Sequence, residues 1–227
     1  MHIEAGVVTG AKMLLSYATA VGVVSIMGKL ALDNLRNNGV LSLAIKSIAA
    51  TLIVLFCFQI LPHVPVGVSE VHLILGTTVF LVFGVAPAGV GLALALLIQG
   101  LLFAPFDLPQ YGINVTTLLA SLLLLDLAVK RIVSTTTAYK DISYKQILKM
   151  SIVWQGAIVS WVAFWAFYGQ GFTQENIANV VSFGSAYMSV ILLEPLVDLM
   201  VLSLVKTLDK RKYTLLFDKR LRSYEAV

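Results

Sequence analysis

The chain begins Met1-His2, and a terminal dipeptide of this kind presents three nitrogens in a row to one metal ion. They are the terminal amine, the backbone amide of residue 2 and an imidazole nitrogen of His2, which close fused chelate rings. Three nitrogens held in one plane suit an ion that accepts square-planar geometry, Ni(II), Cu(II) or low-spin Co(II), better than tetrahedral Zn(II). A fourth donor has to come from elsewhere. The stretch Pro62-His63-Val64-Pro65-Val66-Gly67-Val68-Ser69-Glu70-Val71-His72 holds two imidazoles that compete for that place. The bulk of His2 disfavours removal of the initiator methionine, so the Met1 amine is expected to be the working one. His2 and Glu4 lead into a helix and lack the basic, apolar and small-residue regions of a cleavable signal peptide.

The elements that must position these groups follow from composition. The 227 residues are 59% hydrophobic and 12% charged, with a mean hydropathy of +0.91. A soluble domain carries roughly 25% charged residues and does not tolerate long apolar runs on its surface. The chain therefore reads as an all-α polytopic membrane helix bundle, one integral domain over 1–227. Residues 1–9 form a metal-binding amino-terminal loop and 206–227 a basic tail. Seven transmembrane helices are expected, at about Gly10–Leu32, Val40–Leu61, Val71–Val85, Pro87–Phe103, Ile113–Val129, Ser151–Tyr168 and a last span ending near Val205. The polar run Asp33–Gly39 is expected to end the first helix. The segment from Pro62 to Ser69, with two prolines and Gly67, is expected to be rigid and not helical. The third and fourth spans are close to the minimum length, and short spans often surround a site where irregular backbone dips into the bilayer.

Orientation follows from the basic residues. Lys29, Arg36, Lys46, Lys130, Arg131, Lys140, Lys145, Lys149 and the tail from Lys206 fall on one side of a seven-span arrangement, and the loops at 62–70, 104–113 and 169–179 have none. The positive-inside rule then places the amino terminus outside and the carboxy terminus in the cytoplasm. The formal charge of +4 needs no nucleic acid to explain it. Cys57 is the only cysteine, which excludes an intrachain disulfide or a cysteine metal cluster.

On this topology Met1, His63, His72 and Asn114 meet at the outer face. His72, beside Ser69 and Glu70, is the better fourth nitrogen; His63, in a proline-bounded loop, is the weaker candidate. Ser69, Gln99 and Asn114 could orient the ligands, because metal-bound imidazoles usually give their remaining proton to an oxygen acceptor; Gln99 and Asn114 could equally line the cavity or pair helices through their amides. Glu194 and Asp198 lie one turn apart in the last span; intramembrane carboxylates are costly, so a structural or coupling role, an ion pathway and pairing of Asp198 with basic inner loops all stay open. Ser16, Ala18, Ala20, Gly22 and Ser25 form a small-residue face on the first helix, for internal packing or for docking a partner subunit. Trp154, Trp161, Trp165 and Tyr168 share a face of the sixth span and read as packing and interface anchors.

Met1-His2-Ile3-Glu4-Ala5-Gly6, Pro65-Val66-Gly67-Val68-Ser69-Glu70-Val71-His72-Leu73 and Gly112-Ile113-Asn114 resemble the CbiM/NikM family, the substrate-capturing (S) components of cobalt and nickel energy-coupling factor transporters. The likeness runs through the fifth span. It implies an amino-terminal loop inserted into the bundle and Co(II) or Ni(II) as the transported ion, held by positions matching Met1, His2 and His72. It also implies a transmembrane coupling (T) subunit, ATP-binding cassette ATPases and a small accessory membrane subunit as partners, in a bacterial or archaeal cytoplasmic membrane. Where the family has a second asparagine after Asn114 this chain has Thr117, and where it has a Gly-Glu-Gly-like segment this chain reads Leu193-Glu194-Pro195.

Two other functions compete. A stand-alone secondary cation carrier would work through Glu194 and Asp198. An intramembrane metalloenzyme would need an open metal position and a general base, but no His-Glu-x-x-His occurs. The sequence also carries no Gly-x-x-x-x-Gly-Lys-Ser/Thr, so the expectation is a transport subunit that is not an enzyme, with ATP hydrolysis left to partners.

Overall fold

In hydrocarbon every backbone N–H and C=O must be satisfied within its own segment, which makes long apolar runs helical. The computed structural model describes residues 3–207 and 216–222. In chain order the elements are α1 Met13–Asn38, α2 Val40–Gln59, β1 Val64–Val66, β2 Ser69–Val71, α3 Gly76–Phe83, α4 Val85–Leu102, α5 Tyr111–Ile132, α6 Tyr144–Gln170, α7 Gln174–Met188 and α8 Glu194–Thr207. Among the described residues six helical stretches are long and apolar enough to cross a membrane, with α7 and α8 counted together.

The expected third span, Val71–Val85, does not form a helix of that length. Ser69–Val71 pairs with Val64–Val66 as a short antiparallel hairpin, and helix starts only at Gly76, after Leu75 in the left-handed region. The eight residues of α3 reach about 12 Å, against about 30 Å of hydrocarbon. The segment still crosses the bundle. His72 stacks on His63 beside the hairpin, whereas Val82 O at the far end accepts from the Asp218 N–H of the tail segment at 2.7 Å. The polar run after Leu32 continues as helix to Asn38 and stops at Gly39.

The core sits where α2, α4, α5 and α6 meet. A Cβ on Gly91 of α4 would meet the Ala50 Cβ of α2 at 2.5 Å, the close backbone approach that small residues permit in lipid. Trp154 and Trp165 are fully buried in this core, so of the expected aromatic anchors these two serve packing. Ser143 and Gln146 start α6 with a reciprocal capping box. Large apolar side chains point outward instead, among them Leu14, Val21 and Ile26 of α1, as a lipid-facing surface requires. Ala18, Gly22 and Ser25 also face outward on α1, so this part of the small-residue face is not used for internal packing.

At the end of the bundle away from the hairpin, residues 216–222 fold back onto the α5–α6 connection. The Arg220 guanidinium stands 4.8 Å from the Tyr139 ring and donates to Ser134 O at 3.2 Å. Burial raises the Tyr139 phenol to about 12, so the contact is a cation over a neutral ring.

Candidate metal centre

The first described residues form a plug. Ile3, Val7 and Val8 are almost completely buried although they belong to a loop. Ile3 forms an antiparallel bridge to Ser69, and the Glu4 N–H donates to Val68 O at 3.1 Å, so the loop lies along β2 as a partial third strand. From the other side the Ile3 N–H donates to Asn114 Oδ1 at 3.1 Å. Asn114 stands in the first turn of α5, where the 3₁₀ segment Pro105–Gln110 turns the chain back into the bundle. Gln110 Nε2 donates to Val8 O at 3.3 Å, and Lys12 Nζ donates to Gly169 O at 2.8 Å.

Two glycines admit this arrangement. A Cβ on Gly169, at the end of α6, would lie 1.9 Å from Val7 O. Gly67 has φ +60, which lets the hairpin turn, and a Cβ there would lie 2.0 Å from Asn179 O of α7. Gly169→Ala is therefore expected to unseat the plug and leave the helices in place. Overpacking of this kind costs about 1–3 kcal/mol, which would weaken metal binding about tenfold or more. Titration of the purified variant, with hydrogen exchange at residues 3–12 as the readout of the loop, checks this.

Met1 and His2 lie outside the described residues. Ile3, the next residue, is held by Ser69 and Asn114, and a dipeptide spans at most about 7 Å. The pinned Ile3 thus sets where the terminal donors can reach, beside the hairpin that carries His72.

His72 is 1% exposed. Its Nε2 lies 3.5 Å from Glu70 Oε2, its ring meets Phe58 edge-on at 5.6 Å, and it stacks on His63 at 5.0 Å with an interplanar angle of 5°. His63 is exposed, as its loop position predicts, but lies directly against the buried imidazole. Sequence reasoning gave the orienting role to Ser69, Gln99 and Asn114. Ser69 and Asn114 hold the plug, and Glu70 is a carboxylate beside the His72 ring nitrogen. The signal was present, because residues two apart in an extended segment share a face. Gln99 is buried and lines, with Asp107, Tyr111 and Asn114, a cavity of about 10 Å³, the size of one water. Among the described residues no three His, Cys, Asp or Glu side chains converge to hold a metal.

Glu194 and Asp198 are at the heart of the bundle. Among the described residues neither makes an ion pair with Lys or Arg, so pairing with the basic inner loops, one of the roles open for Asp198, is not seen there. Neutral donors from α3 and α6 solvate them instead: Thr77 N–H and the Ser151 and Gln155 side chains at Glu194, and the Thr78 hydroxyl at Asp198. Glu194 opens α8 after α7 breaks into the 3₁₀ turn Ser189–Leu192.

A profile of the family described as "Cobalt uptake substrate-specific transmembrane region" (CbiM) matches residues 2–211. A solved structure titled "Crystal Structure of an transition metal transporter" aligns over 91% of this chain and 92% of its own, with a TM-score of 0.63 and 19% identity. At that identity the likeness is one of fold. No curated protein matches the chain.

Proposed function

Since the chain belongs to the CbiM family of cobalt-uptake substrate-specific transmembrane proteins, we propose that it captures Co(II) or Ni(II) at the outer end of its bundle. The ion is held in a near-square-planar site by the Met1 amine, the amide and imidazole nitrogens of His2 and the His72 imidazole. The observation that supports this is the seating of Ile3. Asn114 and Ser69 pin the residue next to the terminal dipeptide against the hairpin that buries His72.

The same reading puts the amino terminus outside and the basic tail in the cytoplasm, in keeping with the positive-inside rule. A transmembrane coupling subunit and ATP-binding cassette ATPases, with a small accessory membrane subunit, then drive release of the ion inward as parts of an energy-coupling factor transporter. The outward-facing Ala18, Gly22 and Ser25 of α1 offer a surface on which a coupling helix can approach closely. The cell membrane is that of a bacterium or archaeon.

Ni(II) magnetism tests the site. A four-nitrogen plane that includes a deprotonated amide is expected to give a diamagnetic, yellow Ni(II) protein. A paramagnetic, pale green one would overturn the chelate even if binding were tight, and would move the ligands toward Glu4, Glu70 and water.

A further inference from the structure

The first turn of any helix leaves N–H groups without partners inside the helix. α3 has that need in a dry place, since all its residues are buried and the preceding Leu75 provides no side-chain cap. The partner comes from another helix. Glu194 Oε1 accepts from the Thr77 N–H at 3.3 Å, while its Oε2 accepts from Ser151 Oγ at 2.8 Å and from Gln155 Nε2 at 2.6 Å. A carboxylate suits this place, being an acceptor at the positive end of α3. One turn along α8, Asp198 Oδ1 accepts from Thr78 Oγ1 at 2.5 Å, so α8 grips two successive residues of α3.

The turn before α3 is strained. Leu75 has φ 56 and ψ 37, and is the one non-glycine residue with positive φ among those described. Conformations of this class cost about 1–3 kcal/mol and persist only where the surroundings over-determine them. Two contacts do so here. One is the Glu194 bond to Thr77; the other is the Trp154 ring, which occupies the space where a Cβ on Gly76 would stand, 2.2 Å away. His72 lies three residues before the turn.

We propose that Glu194 is a positioning residue for the metal centre: by capping α3 it locks the left-handed turn at Leu75, and the locked turn sets where the His72 imidazole stands. This rests on the reading of His72 as a metal ligand. It gives the buried carboxylate a role distinct from ion transport, and links the outer site to the helix that leads to the tail.

The test is a double-mutant cycle on the full-length protein with its native amino terminus, with Ni(II) affinity read by titration for Glu194→Ala, Glu194→Gln, His72→Ala and the His72→Ala double variants. Outer partners of metal ligands typically contribute about 10- to 100-fold in affinity, and that loss is expected for Glu194→Ala. Glu194→Gln keeps an acceptor for Thr77 and is expected to lose less. Ser151→Ala, which removes one donor to the carboxylate, serves where the alanine variant does not fold, and a loss of a few-fold is expected.

The deciding result is the dependence on His72. With that ligand removed, substitutions at Glu194 or Ser151 are expected to have no further effect, because no imidazole remains to be misplaced. Equal losses with and without His72 would mean a general structural role and overturn the link, as would unchanged affinity in the single variants. Wild-type affinity in His72→Ala alone would overturn the ligand assignment itself, and the link with it.

Discussion

A tag of four alanines before Met1 is expected to lower Ni(II) affinity at least about 100-fold while the helical fold and its melting temperature in detergent stay unchanged. The added peptide bonds turn the Met1 amine into an amide and carry the new amine four residues away from it, too far to close a ring with the His2 nitrogens. A loop with slack could slide to bring another run of nitrogens beside His72, but this one has none. Ile3 is tied to Asn114 and Ser69, and Glu4, Val8 and Lys12 are tied to Val68, Gln110 and Gly169. A residue occupies about 3.3–3.6 Å of chain, so a slip would break all of these contacts together. Loss of even an outer partner of a metal ligand costs about 10- to 100-fold, and a lost donor costs at least as much. Titration of a protein carrying four alanines before Met1, beside a carboxy-terminally tagged control, decides the matter. Wild-type affinity in the extended protein would sink the Met1 assignment.

His72→Ala is expected to weaken binding by about 100-fold or more, and His63→Ala by less than about tenfold. Both imidazoles lie near the plug, and their stacking at 5.0 Å means that distance alone does not separate them. Burial and bonding do. His72 is 1% exposed and faces Glu70, the carboxylate–imidazole arrangement that orients metal ligands. His63 is exposed and supplies a packing face, and such ring pairs are worth about 0.5–1.5 kcal/mol beyond their buried area. Affinities of the two variants, measured in parallel with the Ni(II) absorption spectrum, test the choice. Loss of binding in His63→Ala with retention in His72→Ala would reverse the assignment.

The membrane class and the helical architecture were legible in the sequence, because each follows from local properties. An apolar run has no other way to satisfy its backbone in lipid, and Met1-His2 is a chelating group by covalent structure alone. The third span shows where local reasoning ends. Val71–Val85 is apolar enough to read as a spanning helix, yet pairing of Ser69–Val71 with Val64–Val66 takes its first residues. Contacts from α6 and α8 then hold Leu75 in a conformation that hydropathy cannot express. The same limit applies to the carboxylates. One helical turn of spacing placed Glu194 and Asp198 on one face of a helix, but only tertiary structure brought the first turn of α3 to them, making Glu194 its cap and Asp198 the acceptor for the Thr78 hydroxyl. Nor could composition show that Ile3, Val7 and Val8 of the amino-terminal loop would be buried. That depended on Gly67 and Gly169, whose missing side chains leave room for backbone from distant parts of the chain to meet.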